Sequence, residues 1–317
     1  MNIEQVVTIS IPTPLPVGPV NAYLIKSEPV TLIDAGVNTD EAFAVLKNAF
    51  ESEGLAPGDL ERVLLTHTHI DHVGLLGKLR DHADFTIYAH SNAAHHRLNS
   101  VEREEEAQRF ALEIMREFGT PEEIVREAAR EQHTYREYAT DAIVDEGLED
   151  GETIGRHTAY HVPGHSAMDV LLADHEARIA FTGDHLLPRI TPNPLLRRPK
   201  PGQPRTKSLV EYRESLRKTH ALDLDVCFPG HGETIRNPRE SIENLLERQN
   251  KRNGRILDVL GSESLSVYQV ACALFPRMNP KFTFLGLSSA AGHLEVLEEE
   301  GRVVSEHEDD ILCFHRV

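Results

Sequence analysis

Cysteine is scarce in this sequence. Three residues in 317, Cys227, Cys272 and Cys313, show no paired spacing, so a disulfide framework is excluded and the thiols read as buried groups in a reducing compartment. No apolar run approaches the ~20 residues that span a bilayer. The start carries strand alternation at Val6, Val7, Ile9 and Ile11, without a basic region leading into an apolar stretch. The expected location is the cytoplasm, with no membrane partner. Positive charge is also in deficit: 33 lysines and arginines stand against 51 acids, a formal charge of −18. Broad attraction to nucleic acid is therefore not expected. Nor does a G-x-S-x-G elbow occur, which removes one common serine nucleophile.

What the chain does have is histidine beside carboxylates at strand ends. The apolar run Val63, Leu64, Leu65 opens into Thr66-His67-Thr68-His69-Ile70-Asp71-His72. Side chains alternate along an extended segment, so His67 and His69 fall on one side while Asp71 and His72 follow as the chain bends toward a helix. Three further donors each follow a strand-like run and a glycine: His165 after Gly164, Asp184 after Gly183, and His231 after Gly230. Glycine lets the backbone turn sharply and come close to an ion. Together these seven residues, His67, His69, Asp71, His72, His165, Asp184 and His231, make a ligand set for two divalent metal ions. Imidazole and carboxylate donors without thiolate suit zinc, iron or manganese, and ligand chemistry alone does not choose among them; zinc is the first expectation.

These motifs resemble the metallo-β-lactamase-fold hydrolases over residues 1 to 255, with Asp34 in Thr31-Leu-Ile-Asp-Ala-Gly36 as an additional match. The resemblance implies an α+β fold, a four-layer αββα sandwich with the dinuclear site at one edge. It implies that His67, His69 and His165 hold one ion, Asp71, His72 and His231 the other, that Asp184 bridges them, and that Asp34 braces the ligand loop. Members that reduce oxygen generally carry Glu where this chain has His69, which argues against that chemistry. Lactone-cleaving members tend to place a Tyr shortly after the bridging Asp, whereas His185, Leu186 and Leu187 follow Asp184 here.

Two inserts interrupt this frame. Residues 100 to 140 predict helices, the first carrying Phe110, Ile114, Met115 and Phe118 at about one-turn intervals. Thr120-Pro121-Glu122-Glu123 then reads as the cap of the next, which runs toward His133, Tyr135 and Tyr138. Such a block suits a lid, with Tyr135 and Tyr138 as candidate substrate contacts. Residues 186 to 209 hold six prolines and six basic residues, among them Arg189, Arg197 and Arg198, and no acid. A stiffened, positive loop just after Asp184 is expected beside the metals and suggests an anionic small-molecule substrate.

Residues 256 to 317 predict short helices through Val267 and through Ser288 to Glu300, then a hairpin. That order resembles the small winged-helix domain some family members carry. DNA is not the expected partner, because the helix would present Glu295, Glu298, Glu299 and Glu300 and the wing Glu306, Glu308, Asp309 and Asp310. Packing, a homodimer contact or shaping of the active site are the roles expected instead. The expected activity is hydrolysis of an ester or thioester by water shared between two metal ions, its pKa lowered from about 15.7 toward about 7, with Asp71 taking up the proton. Phosphodiester or RNA cleavage is the alternative. A mononuclear iron sulfur dioxygenase, built on His67, His165 and Asp184, stands third.

Overall fold

Strand β2 (Val20–Ile25) shows how the sequence makes the first sheet. All six of its residues are buried, and successive side chains alternate between two different cores. Ala22 and Leu24 pack with Leu32, Val63, Leu46 and Phe50, while Tyr23 and Ile25 pack with Ile33, Leu64, Leu172 and Phe181. A strand covered on both faces reads as a continuous apolar run because neither side meets water. The computed structural model describes residues 6–98, 100–131, 136–138, 140, 142–199 and 202–317, and the chain divides into two compact units.

The first unit comprises Met1–Ser100, Tyr135–Pro192 and Ser215–Ile242. Its first sheet runs in the order β1 (Val6–Ile11), β2, β3 (Thr31–Ile33), β4 (Arg62–Leu64), β5 (Thr86–His90) and β6 (Glu146–Leu148). The first two pairings are antiparallel and the rest parallel. Helix α1 (Asp40–Ser52) makes the crossover from β3 to β4, capped where the Thr39 hydroxyl accepts from Ala42 N at 3.1 Å. The short helices α2 (Ile70–Val73) and α3 (Leu76–Arg80) follow β4. Ala42, Leu46 and Phe50 of α1 and Leu76 and Leu79 of α3 cover one face of the sheet.

The second sheet runs β7 (Thr153–Ile154), β8 (His157–His161), β9 (Val170–Asp174), β10 (Ile179–Gly183) and β11 (Val226–Pro229). It is antiparallel except for the β10–β11 pair. The two sheets stack through Tyr23, Ile33 and Leu64 against Leu172, Phe181 and Phe228, with the Phe181 and Phe228 rings 5.1 Å apart. Each such side chain contributes about 1.5–3 kcal/mol by leaving water. Stacking fixes the C-terminal ends of β4, β10 and β11, which carry the site.

The second unit comprises Val101–Thr134, Asn193–Glu214 and Glu243–Val317. Its helices are α4 (Val101–Glu117), α5 (Glu122–Glu131), α8 (Val267–Leu274) and α9 (Thr283–Glu299). Helices α6 (Ser208–Ala221) and α7 (Pro238–Leu260) each carry residues of both units. A three-stranded antiparallel sheet orders β12 (Leu265–Ser266), β14 (Ile311–Arg316) and β13 (Val303–Glu308). Ile114 and Met115 of α4 and Phe118 just after it pack into a core with Ile256, Leu260, Val270, Leu287 and Leu294. The apolar stripe that suggests a lid surface is thus committed to the core of its own unit.

The last long helix begins at Thr283 rather than at the expected Ser288, because the turn Pro280–Phe282, capped by Asn279, leads straight into it. Nor is Glu295 displayed on that helix as its spacing suggests; it is 3% exposed. It is buried against Arg205, whose nearest nitrogen lies 2.5 Å from its carboxylate. Periodicity marks a charged residue as outward-facing, and only a partner brought from elsewhere in the chain makes its burial tolerable. Among the described residues no helix is long and apolar enough to cross a membrane.

Candidate metal centre

All seven histidines and aspartates singled out from the sequence lie in the first unit. They converge in three overlapping groups: His67, His69 and His165; His67, His72 and Asp184; and Asp71, His72 and His231. Within each group the donor atoms lie within 4.8 Å of one another. His67 and His69 follow the end of β4, His69 in extended backbone, and Asp71 and His72 sit in the single turn of α2. Asp184 follows β10, and His231 follows β11 after Gly230. A β-carbon on Gly230 would lie 2.3 Å from Asp184 Oδ1 and 2.7 Å from His72 Cε1. That position admits only glycine if both side chains are to keep their places.

Each of three rings has one nitrogen tied down and the other left facing the cluster. His72 Nδ1–H donates to Asp34 Oδ2 at 2.8 Å, and His231 Nδ1–H donates to the Pro19 carbonyl at 2.8 Å. Thr66 Oγ1 donates to Asp34 Oδ2 at 2.7 Å, so it accepts from His67 Nδ1 at 3.1 Å. The opposite nitrogens, Nε2 of His67, His72 and His231, are buried without a hydrogen-bond partner, as is Asp184 Oδ1. Buried polar atoms are rarely orphaned, and a cluster of them turned toward one point is what a cation requires. The donor set and its orphaned atoms therefore fit a metal centre.

The electrostatics divide the cluster, with neutral imidazoles on one side and rings that attract positive charge beside the carboxylates on the other. Desolvation and the neighbouring imidazoles hold His67 far below its ordinary pKa, and desolvation with His165 pulls His69 down to about 3. Both rings are thus neutral donors at pH 7. Burial alone would push His72 down, yet Asp34, Asp71 and Asp184 override it and raise the ring to about 10. Burial would raise Asp71, but His72, His231 and His69 hold it well below the usual carboxylate range. His165 Nε2 lies 2.9 Å from His69 Nδ1 and 3.5 Å from Asp184 Oδ2, two close approaches that a shared cation would resolve.

Asp34 is the hub beneath the ligands. Its carboxylate accepts from Thr66 N at 2.9 Å, from Thr66 Oγ1 and from His72, while its backbone adopts φ of 58°. Left-handed backbone is uncommon outside glycine and best tolerated by Asn and Asp. Other supports carry no sequence signal of their own. Thr66 stands inside the motif but offers no ligand. Asp169 Oδ2 accepts from Ser166 N at 2.8 Å, tethering the loop beside His165, and burial raises its carboxyl to about 6. Asn21 and Tyr23 hold the His231 loop from β2.

The expected substrate contacts are dispersed. Tyr138 lies in the first unit, in the short turn Arg136–Tyr138, partly buried against the core; its carbonyl accepts from Asn38 N at 3.3 Å. Tyr135 lies outside the described residues. Arg189 pairs with Glu233 at 3.0 Å, both side chains 78% exposed. Arg197 and Arg198 belong to the second unit, where they pair with Glu211 and Glu106. There too Lys207 pairs with Glu298 and Glu299. Much of the loop's positive charge is thus answered by carboxylates of the same unit.

A cluster of histidines and aspartates at the strand ends of two stacked sheets defines a class of metal-dependent hydrolase. The profile of the metallo-beta-lactamase superfamily matches residues 15–231. The chain is 33% identical over 317 residues to the probable metallo-hydrolase YqjP of Bacillus subtilis (strain 168), covering 99% of this chain and 98% of that protein. A crystal structure of a metallo-beta-lactamase family protein from Thermus thermophilus superposes with a TM-score of 0.81 at 26% identity, covering 99% of both chains. A shorter match, 29% over 99 residues and 31% of this chain against 28% of the other, is to an atrochrysone carboxyl ACP thioesterase of Aspergillus fumigatus. The chain belongs to the metallo-beta-lactamase superfamily and is one of its hydrolases.

Proposed function

We propose that the protein is a dinuclear metal-dependent hydrolase of an ester-type bond, with a thioester of a small anionic acid as the first substrate class. The reading is carried by the buried, partnerless Nε2 atoms of His67, His72 and His231, directed into one cluster with Asp71 and Asp184. His67, His69 and His165 would hold one ion and Asp71, His72 and His231 the other, with Asp184 between them. When bound, two divalent ions, zinc first, supply Lewis acidity and acidify a water molecule.

The chain's own residues then set the geometry. Asp71, kept ionised by its histidine neighbours, has Oδ2 3.3 Å from His231 Nε2. From there it orients the attacking water and accepts its proton. Asp34 and Thr66 keep His72 and His67 in one tautomer with Nε2 presented. Arg189 is the cation we assign to a substrate carboxylate or phosphate. Its pairing with Glu233 is solvent-exposed and worth at most about 1 kcal/mol, so a substrate anion can exchange for it. Pro188, beside it, packs where a β-carbon on Gly232 would come within 3.0 Å, next to His231.

The thioester preference draws on the partial likeness to the fungal thioesterase and on an acidic chain poorly suited to polyanions. Reduced cysteines, Cys227 and Cys313 buried and Cys272 half-buried, support a cytoplasmic setting. The complete αββα layering belongs to the same proposal, as does a winged-helix-like second unit, supported by the order α7, β12, α8, α9, β13, β14. Zinc-loaded enzyme assayed against matched acyl-CoA thioester, lactone, phosphodiester and single-stranded RNA panels tests the substrate class. Turnover of acyl thioesters is the expected result. Cleavage of RNA with thioesters untouched would replace the reading with an endoribonuclease, and dioxygen uptake with one bound iron would replace it with a sulfur dioxygenase.

A further inference from the structure

Asparagine is an odd residue for the buried start of β2. The strand is buried throughout, and Asn21 is 5% exposed, so its amide costs stability unless its donors are met. They are met at one place only among the hydrogen bonds shown. Nδ2 donates to the Pro229 carbonyl at 3.0 Å and to the Gly232 carbonyl at 2.9 Å, while the Asn21 backbone N–H donates to Gly230 O at 2.7 Å. Two residues on, the Tyr23 hydroxyl donates to Pro229 O at 2.5 Å. Two residues before, Pro19 O accepts from His231 Nδ1. Five hydrogen bonds thus join one short stretch at β2 to residues 229–232, which carry His231. The Asn21 amide clamps that loop on both sides of the ligand and is not among the donor atoms of the cluster.

On its other side the loop is held by the second sheet, where Gly230 N donates to Gly183 O at 2.7 Å and Cys227 pairs with Ile235 across its base. Gly232 takes φ of 82° and Gly230 lies against Asp184 and His72, so both flanks of His231 are residues with the widest conformational freedom. Without the amide, Gly232 O loses its donor and Pro229 O keeps only that of Tyr23, so the segment on the far side of His231 is released from β2. His231 Nε2, now 3.3 Å from Asp71 Oδ2, would move with it.

We infer that Asn21, assisted by Tyr23, is a positioning residue that sets the affinity of the metal position formed by Asp71, His72 and His231 while leaving the His67–His69–His165 position alone. The inference rests on the dinuclear reading above. Its test is a cobalt(II) titration of the metal-free full chain followed by absorption spectroscopy, with His231→Ala identifying which of two binding steps belongs to that position. Asn21→Ala is expected to weaken that same step about 10-fold, the low end of the range for groups bonded directly to a ligand because Asn21 acts through the loop backbone, and to leave the other within about twofold. Tyr23→Phe, which keeps the ring and removes one donor, is expected to weaken the same step by about threefold and serves if Asn21→Ala fails to fold. Equal weakening of both steps, no weakening, or weakening of the step that His231→Ala spares would overturn the inference. A wild-type chain that takes up fewer than two ions would instead remove the dinuclear reading, and the inference with it.

Discussion

His69→Ala is expected to lose metal and turnover together. His69 belongs to one of the three candidate groups only, that with His67 and His165, so the remaining six ligands stay in place and the loss is specific. Burial pulls the pKa of its ring down to about 3, so at neutral pH it offers a lone pair. Removing it leaves His67 and His165 with the shared Asp184, one imidazole short of the set proposed for that ion, so its affinity falls. The expected outcome is a fall from about two bound ions per chain toward one, and a drop in kcat/KM on the order of 10³-fold or more, about 4 kcal/mol of lost transition-state stabilisation. Elemental analysis and steady-state kinetics on the same preparation check it, with circular dichroism showing an unchanged fold. Retained turnover with metal lost would separate catalysis from the cluster and contradict the proposal.

Arg205→Ala is expected to destabilise the second unit by about 3–5 kcal/mol, the cost of leaving a buried charge without its partner. The Glu295 side chain is 5% exposed and that of Arg205 19%, and the guanidinium also sits 5.8 Å over the Phe118 ring. The double variant Arg205→Met with Glu295→Leu should lie within about 1 kcal/mol of wild type or above it, since an apolar pair of like volume avoids desolvating two ions. The pH dependence has a definite sign. Burial raises the Glu295 pKa above its ordinary value even though Arg205 opposes the shift, so the folded state binds that proton more tightly than the unfolded one. Its contribution is favourable at low pH and is lost as pH rises through the raised pKa. In Arg205→Ala the deficit should be largest at neutral pH and shrink toward the carboxylate range, about 4–5. Urea unfolding at two pH values measures both effects, and a single-variant loss below about 1 kcal/mol would mean that the pair is solvated.

The candidate metal centre was legible because its histidines and aspartates carry their own local context. His67, His69, Asp71 and His72 share one turn after an apolar strand, and His165, Asp184 and His231 each follow a glycine at a strand end, so composition and spacing alone nominate them. Asn21 and Tyr23 carry no such context. Their partners lie more than 200 positions away, and on the sequence they are a polar and an aromatic residue inside a buried strand. The same limit hid the burial of Glu295 and the pairing of Arg197, Arg198 and Lys207. Charge in a proline-rich stretch is visible in sequence, whereas the acids that answer it come from α4, α6 and α9. Periodicity likewise marks the apolar face of α4 but not the core of Ile256, Val270 and Leu294 that covers it.

Convergence of seven side chains on a pair of cations is tested most directly by an anomalous difference map from crystals of the zinc-reconstituted chain, with data collected at the zinc edge. Two peaks are predicted, one among His67, His69 and His165 and one among Asp71, His72 and His231, with Asp184 reaching both. A single peak elsewhere, or none among these residues in crystals saturated with zinc, would contradict the account.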